Sequence, residues 1–402
     1  MRPVALLLLS SACGFSVSSG TPVDDARLDA SIDAAPDAML DAADDAPVDA
    51  EIDAPIDAPP AFGDVDFLPP AEEYAATGNW TISADTTIDT SNLAGTTPPA
   101  DTELVVGMQD NGTQVAILRA RDFKVNANDT LRVVGTLPLV IIADHDVSID
   151  GTLDLGARTV TPGAGGSAPF GGAGVGGHGT TASNNEDSGG GGGGFGGAGA
   201  IGGTGNNVAA GGTAGATYNA ATIRGGSSGG GPPQLAGCTN KGGAGGGAVL
   251  IFARNKLDVK GTINAGGGGG EPGMQCANNH RSGAGGGSGG LIYLQTSSLT
   301  GDGDLVANGG GGGGGSCTNT NGGNTNAVAG NDGGLTTATG GVGRGDCGAP
   351  GGNGATQAAG PTSGSQVRTN GGGGGGGLGR IIYRAPSIPG NMASSPTAVP
   401  AS

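Results

Sequence analysis

Two stretches of the sequence, 110 positions apart, follow the same pattern and decide the fold. Residues 139–156 read LVIIADHDVSIDGTLDLG, and residues 249–266 read VLIFARNKLDVKGTINAG. They align without a gap, and short β-branched and apolar runs alternate in both with polar or glycine turns, which is typical of strands. Apolar residues face each other at Leu139/Val249, Ile141/Ile251, Ile142/Phe252, Val147/Leu257, Ile149/Val259 and Leu153/Ile263.

Two later stretches continue the repeat. Residues 291–308, LIYLQTSSLTGDGDLVAN, align with the second stretch at an offset of 42, which places Leu299 on Leu257. Residues 380–386, RIIYRAP, form a truncated fourth copy. No copy can bury its apolar face alone, so the copies are expected to stack. We therefore predict an all-β protein, a right-handed parallel β-helix or a related β-solenoid, over residues 63–386.

Long glycine-rich inserts separate the copies. The chain holds 91 Gly among 402 residues, and only 10 of them lie before position 161. A strict Gly-X-Y period is missing, which excludes collagen. We favour partly ordered glycine loops, because Gly loses the most entropy on ordering. Side-by-side packing of extended helices with three residues per turn is the alternative. The inserts span residues 156–247, 266–290 and 309–379.

The N-terminus carries an export signal. A base, an apolar run and small residues precede Cys13, so residues 1–12 are predicted to be a signal peptide. The segment resembles a bacterial lipoprotein signal, which implies that Cys13 is acylated and that 13–22 is the lipidated N-terminus. Ser10 stands where that family usually has Leu, and plain secretion is the alternative. Gly14, rather than Asp, implies sorting to the outer membrane.

Residues 23–62 form an acidic spacer. Nine tetrads beginning with Asp-Ala run from Asp25 to Pro60, and residues 23–62 carry 11 Asp and Glu51 against Arg27. Like charges four positions apart repel, and repeated prolines disrupt helices. We predict a disordered, extended linker. The whole chain has a net charge of −18, which argues against nucleic acid as a partner. No apolar run is long enough for a transmembrane helix.

Four cysteines follow Cys13. An even number in an exported chain predicts two disulfides, for which three connectivities are possible. We expect Cys238–Cys276, flanking the second copy, and Cys317–Cys347, closing the third insert. A metal site at Cys276 and His280 is the alternative, but the chain has no Cys-x-x-Cys pair, so no metal is expected.

Candidate catalytic residues are few, and we predict no catalytic site and no cofactor. His145 is a possible general base, yet Asn255 takes its place in the second copy, which favours a solvated polar turn. Some β-helix enzymes cleave polysaccharides with clustered acids and bases on an outer face. The candidates for such a cluster are Lys256, Asp258, Lys260, Asp302 and Asp304. Arg344-Gly345-Asp346 forms a possible adhesion motif, which chance explains first in so glycine-rich a chain.

The whole layout resembles glycine-rich predicted surface lipoproteins of delta-proteobacterial (myxobacterial) type. Those proteins carry an Asp/Ala/Pro spacer, phrases like Leu137-Pro-Leu-Val-Ile-Ile-Ala143, poly-Gly inserts, and an ending like Gly379-Arg-Ile-Ile-Tyr383. The resemblance implies a solenoid and an envelope location, and it supplies no activity. We expect a non-enzymatic cell-surface structural or adhesive lipoprotein, and residues 387–402 are expected to be a flexible tail.

The expected partners are the outer membrane, through the lipid anchor, and an extracellular polysaccharide or another cell surface. The alternative function is that of a polysaccharide-binding or polysaccharide-cleaving β-helix protein, which rests on fold analogy.

Overall fold

The chain divides into two compact units, Met1–Ala58 and Pro59–Ser402. The computed structural model describes residues 65–70, 76–181, 187–205, 210–219, 221–233, 240–276, 279–318, 324–325, 327–334, 348–356, 362–364 and 370–401. All of these residues belong to the second unit. The predicted signal peptide, Cys13 and the predicted spacer lie outside the described residues.

The described residues form β-strands and extended segments, with one turn of 3-10 helix at Leu93–Gly95. The strands are β1 (Trp80–Ile82), β2 (Thr86–Asp89), β3 (Glu103–Met108), β4 (Gln114–Ala120), β5 (Phe123–Val125), β6 (Thr130–Val134), β7 (Leu139–Ala143), β8 (Asp146–Ile149), β9 (Thr152–Asp154), β10 (Ala248–Ala253), β11 (Lys256–Val259), β12 (Thr262–Asn264), β13 (Gln275–Cys276), β14 (Asn279–His280), β15 (Leu291–Thr296), β16 (Leu299–Thr300), β17 (Asp304–Val306), β18 (Cys317–Thr318), β19 (Asn324–Thr325), β20 (Arg380–Arg384), β21 (Ala393–Ser395) and β22 (Val399–Pro400).

Three sheets contain most of the strands. The first has the order β22-β20-β15-β10-β7-β4-β3, the second β1-β5-β8-β11-β16, and the third β2-β6-β9-β12-β17-β21. Every pairing in them is parallel except that of β3 with β4. From β4 to β17 the chain visits the first, second and third sheets in turn, four times over. The predicted all-β class, with parallel sheets, is therefore confirmed.

The repeat that was recognised in the sequence fixes the strand register. Ile141 pairs with Ile251, Val147 with Leu257 and Leu153 with Ile263, so the offset of 110 holds in all three sheets. The offset of 42 holds at Leu257/Leu299 and Ile263/Leu305.

In the first sheet, however, the offset of 42 is wrong. Val249 pairs with Ile292, an offset of 43. The reason is the number of residues between the paired positions of the first and second strands, which is three in one copy of the repeat, 254–256, and two in the next, 297–298. A further copy, β4 to β6, escaped recognition in the sequence because its turns also differ in length. Its offset to the next copy changes from 23 at Leu118/Ile141 to 24 at Phe123/Val147.

The central strands of the first sheet, β4, β7, β10 and β15, are buried on both faces. One face contributes Leu118, Ile141 and Ile251 to a core shared with the other two sheets. The opposite face contributes Ile117 and Val140 to a second core, which includes Phe195 and Ile223 from the glycine-rich insert. Burial of both faces explains why the strands of this sheet are continuous apolar runs without alternation.

The described glycine-rich segments of the three inserts form a bundle of extended segments, here called the glycine bundle. Its centre is residues 188–194. Successive residues of this segment bond to different neighbouring segments, and every third residue bonds to the same neighbouring segment. Backbone N–H groups donate in the pairs Gly189→Gly203, Gly192→Ala200, Gly190→Gly283, Gly193→Gly286, Gly191→Gly177 and Gly194→Gly174. Carbonyl groups of the same segment accept from Gly212, Gly215, Gly230, Gly374 and Gly377. Three residues per turn without internal hydrogen bonds is the geometry of polyproline II.

The expectation of partly ordered loops is therefore wrong for the described glycines, which follow the packed-helix alternative. The physical reason is close approach of the backbones. A Cβ atom added at any position from 189 to 194 would lie 2.4 Å or less from a carbonyl oxygen of a neighbouring segment. Only glycine permits this spacing, and the spacing lets each segment exchange hydrogen bonds with several others. The free energy of these hydrogen bonds offsets the entropy that glycine loses on ordering, which was the reason for expecting loops.

A buried ion pair closes one end of the glycine bundle. Arg281 Nη1 lies 2.7 Å from Asp187 Oδ2, and both side chains are almost wholly buried. Burial raises the pKa of Asp187 and lowers that of Arg281, although each partner's charge acts in the opposite direction. The Asp187 N–H donates to Asn370 Oδ1 at 3.1 Å, and Asn370 Nδ2 donates to the Ser316 carbonyl at 2.6 Å. Polar groups thus tie together the ends of four segments.

The C-terminal residues belong to the fold. Residues 387–402 were expected to be a flexible tail, but β21 pairs with β17 and β22 pairs with β20. Met392 is also buried in the core that the three sheets share. The expectation was wrong because prolines divide this segment into strands too short to recognise. Among the described segments, no helix is long and apolar enough to cross a membrane.

Candidate functional site

The predicted polar turn around His145 lies at the corner between the first and second sheets. His145 is exposed, and its Nδ1 lies 3.3 Å from Arg121 Nη2. The turns of neighbouring copies bond to each other, since Arg254 Nε donates to Asp144 at 2.8 Å and Asn255 donates to Asp146 at 2.8 Å. These contacts are typical of a solvated turn that supports strand stacking.

The acids and bases proposed for polysaccharide cleavage do not all lie on one sheet. Lys256 and Asp258 lie on β11 of the second sheet, whereas Asp304 begins β17 of the third. Asp302 lines an open cavity of about 470 Å³ together with Asp258 and Lys260. Four of the five candidates therefore lie near one another, whereas Asp304 belongs to another sheet.

Ion pairs cross the outer face of the second sheet. Lys260 Nζ lies 3.0 Å from Asp258 and 3.7 Å from Asp150, which also pairs with Lys124 at 3.1 Å. Burial alone would raise the pKa of Asp150 and Asp258. Hydrogen bonds and attraction from the lysines outweigh burial and hold both pKa values below the usual range. Both carboxylates therefore stay ionised near neutral pH.

The cysteine predictions stay predictions. Cys13, Cys238 and Cys347 lie outside the described residues. Cys276 and Cys317 are described only as backbone, in the short antiparallel pairs β13–β14 and β18–β19. Burial lowers the pKa of His280. No group of three or more His, Cys, Asp or Glu in the described part of the chain is placed to hold a metal ion. Arg344-Gly345-Asp346 also lies outside that part.

A cavity of about 780 Å³ opens beside the outer face of the first sheet, where the sheet meets the glycine bundle. One wall comes from residues 65–68, whose apolar side chains Val65 and Leu68 pack into the second core. That packing places Asp66 beside Tyr293 of β15 and Arg384 of β20. The cavity is lined by Asp66, Phe67, Asn219, Ala221, Tyr293, Arg380, Ile382, Arg384, Val399, Pro400 and Ala401.

The Asp66 carboxylate accepts hydrogen bonds from the Tyr293 hydroxyl and the Arg384 guanidinium. Burial, followed by the effect of Asp66, holds the pKa of Tyr293 well above its usual value, so the hydroxyl remains a donor. The Phe67 ring packs edge-on against Tyr293, with ring centroids 5.4 Å apart. This wall therefore combines a carboxylate already bound between two donors with the half-buried Phe67 ring.

A column of stacked groups leads from this cavity to a second one. The Arg380 guanidinium lies 5.7 Å from the Phe195 ring centroid, and Phe195 lies 4.8 Å from the Tyr218 ring. Arg224 lies 4.8 Å from the centroid of the Tyr218 ring. Arg380 also donates to Asn219 Oδ1 at 2.7 Å, which anchors the loop between the cavities. Cation–π stacking holds both guanidiniums in place while they stay charged.

The second cavity, of about 520 Å³, shares Asn219 and Ala221 with the first. Arg224 is its charged lining residue. Hydroxyl and amide groups supply most of its other polar lining, from Asn111, Thr113, Gln114, Thr136, Ser167 and Thr222. We call the two cavities together the arginine groove, and its principal residues are Asp66, Asn219, Arg224, Tyr293, Arg380 and Arg384.

Sequence reasoning missed the arginine groove. Arg380 and Arg384 were noted only as parts of a truncated copy. Arg224, which lies within the first glycine-rich insert, was not singled out. One signal was available, because basic residues are scarce in this acidic chain and two of them flank Ile381-Ile-Tyr383. The position of Asp66 could not be inferred, since it depends on chain packing across more than 200 residues.

A scan of the sequence against protein-family models, a search of curated proteins and a search of solved structures each found no match.

Proposed function

We propose that the chain is a non-enzymatic cell-surface adhesive lipoprotein. An acylated Cys13 would anchor it in the outer membrane, and the acidic spacer, residues 23–62, would hold the folded unit away from the bilayer. The resemblance to surface lipoproteins and the export signal support this address. The folded unit would then act as a rigid head that contacts material outside the cell.

We also propose that the three sheets close into a right-handed parallel β-helix. The repeated visit to the first, second and third sheets supports closure, as does the shared core that contains Ile141, Leu257 and Ile263. Parallel stacking in constant register is what such a helix requires.

The observation that carries the adhesive role is the arginine groove at the seam between the first sheet and the glycine bundle. Its walls are held by two different kinds of packing, apolar burial on one side and backbone hydrogen bonds on the other. A binding site on a rigid frame loses less entropy when it binds a ligand. Polysaccharide cleavage has weaker support, because the pKa of Asp150 and of Asp258 is lowered, which suits neither carboxyl as a general acid.

Protease shaving of intact producing cells tests the surface location. Wild-type chain is expected to stay bound to cells and to be shaved, whereas Cys13→Ala is expected in the medium. Protection of the wild type until the outer membrane is opened would overturn the surface role and favour a periplasmic one. Retention of Cys13→Ala on cells would overturn lipid anchoring.

A further inference from the structure

The charges of the arginine groove are unusual for this chain. Arg224 and Arg380 have no carboxylate within ion-pair distance among the described residues. Lys241 apart, the other described cations each pair with an acid. Among the described residues, the only acid that lines either cavity is Asp66, and it already binds Arg384. In a protein of net charge −18, the groove is thus a local positive site.

The geometry keeps both arginines in place for a ligand. Arg380 is held by Asn219, by the Tyr218 carbonyl and by the face of Phe195, none of which neutralises its charge. Its Nε is buried and has no hydrogen-bond partner among the described residues. Planar guanidiniums bind carboxylates with two parallel hydrogen bonds, and such charge-assisted bonds are stronger than neutral ones. Asp66 shows that a carboxylate is bound in this groove, since it accepts one charge-assisted hydrogen bond from Arg384 and another hydrogen bond from the Tyr293 hydroxyl.

The remaining lining indicates the rest of the ligand. Thr113, Thr136 and Thr222 offer hydroxyls, and Asn111 and Asn219 offer amides. The exposed rim near Phe67 and Val399 offers apolar surface. Many neutral hydrogen-bonding groups, small apolar surfaces and two unpaired cations match a chain of sugar rings that carries carboxylates. Two cavities of about 780 and 520 Å³ that share Asn219 and Ala221 suit an oligosaccharide better than a single small anion.

We infer that the arginine groove binds an acidic polysaccharide of uronate type. Sugar carboxylates would pair with Arg224 and Arg380, and sugar hydroxyls would bond to the threonine and asparagine side chains. This inference rests on the proposed adhesive function, because it names the class of polymer to which the folded unit would adhere at the cell surface. Binding itself is a property of the folded chain and does not require the anchor.

The test is titration of the purified full chain with polygalacturonate, with fully methyl-esterified polygalacturonate and dextran sulfate as the comparison polymers. We expect polygalacturonate to bind, the ester to bind at least about 10-fold more weakly, and Arg224→Gln to weaken binding of the acid about 10-fold, the equivalent of about 1.4 kcal/mol. Arg380→Lys keeps the charge but loses the two-bond geometry, so an intermediate loss is expected.

Lys256→Gln is the matched control, because it removes a positive charge from the second sheet, away from the groove. It is expected to change affinity less than about 2-fold. The thermal unfolding of each variant shows whether it is folded. Four outcomes would overturn the inference. They are no binding of polygalacturonate, equal binding of its ester, tighter binding of dextran sulfate than of polygalacturonate, and equal losses for Arg224→Gln and Lys256→Gln. If polygalacturonate binds as expected but the wild-type chain on intact cells is protected from protease, only the proposed surface location is overturned.

Discussion

The sheets and the glycine bundle reach order by opposite means. In the sheets, apolar side chains such as Ile141 stack on the equivalent side chains of neighbouring copies and are buried away from water. In the bundle, Gly189 to Gly194 have no side chains to bury, and neighbouring backbones exchange hydrogen bonds at close range. The hydrophobic effect stabilises the first region. Many hydrogen bonds, each of modest net value, stabilise the second.

The difference predicts different tolerance to mutation. A strand core accepts side chains of similar volume, because packing can adjust. The glycine bundle cannot adjust, because a Cβ would meet backbone atoms that are themselves fixed by hydrogen bonds. The bundle should therefore respond to the addition of one methyl group as strongly as the sheets respond to the loss of several.

The largest effect is expected for Gly191→Ala. A Cβ there would lie 2.0 Å from the Thr213 carbonyl oxygen, at the centre of the bundle. We expect loss of at least about 5 kcal/mol or failure of the bundle to form, which is at the extreme of single substitutions. Gly390→Ala is the matched control, since nothing lies within 4 Å of that Cβ position. Thermal unfolding of both variants checks the prediction, and equal melting temperatures would contradict the packed bundle.

Ile141→Ala probes the sheets. Ile141 lies between Leu118 and Ile251 in the shared core and is fully buried. We expect a loss of about 4 kcal/mol from lost burial and the cavity that remains. Val106→Ala, at an exposed site on β3, is expected to cost less than about 0.5 kcal/mol. Urea unfolding measures both, and similar losses would show that the stacked register does not stabilise the fold.

Arg281→Met tests the buried end of the bundle. Removing the guanidinium leaves the Asp187 carboxylate buried without its charge partner, at a cost of about 3 kcal/mol. The double variant with Asp187→Asn is expected to recover most of the loss. Arg158→Met is the control, because the Arg158 side chain is exposed and Asp154 keeps a second partner in Arg132, so the loss should cost less than about 1 kcal/mol. A double variant no more stable than Arg281→Met would contradict this account.

The contrast also explains what the sequence could predict. Stacking of equivalent residues leaves a visible trace, so Val147 and Leu257 could be paired across 110 positions. The bundle leaves almost none, because runs of identical Gly cannot show which segment lies beside which. The partners of Gly190, for example, come from two other inserts. The arginine groove lies between the first sheet and the glycine bundle. Its position depends on the packing of the bundle, which cannot be read from the sequence.

The smallest effect concerns pH, and here the two regions should differ in sign. Burial raises the folded-state pKa of Asp187 above its ordinary value of 3.8, so the unfolded state loses its proton first as the pH rises. The stability of the wild type relative to Asp187→Asn should therefore fall as the pH rises above about 4. On the second sheet, the lysines lower the folded-state pKa of Asp258 below 3.8. The stability of the wild type relative to Asp258→Asn should be complete above that value and fall as the pH drops below it.

The pH effect at Asp258 is expected to be below about 1 kcal/mol, because its partner Lys260 is exposed and solvent screens the pair. Urea unfolding of the wild type and the two variants between pH 3 and pH 7 measures the slopes. Asp258→Asn serves as the control for Asp187→Asn, since both replace one carboxylate by an amide in different surroundings. Slopes of the same sign would mean that Asp187 is stabilised by Arg281 more than it is penalised by burial, and the bundle would then share the electrostatic behaviour of the sheet surface.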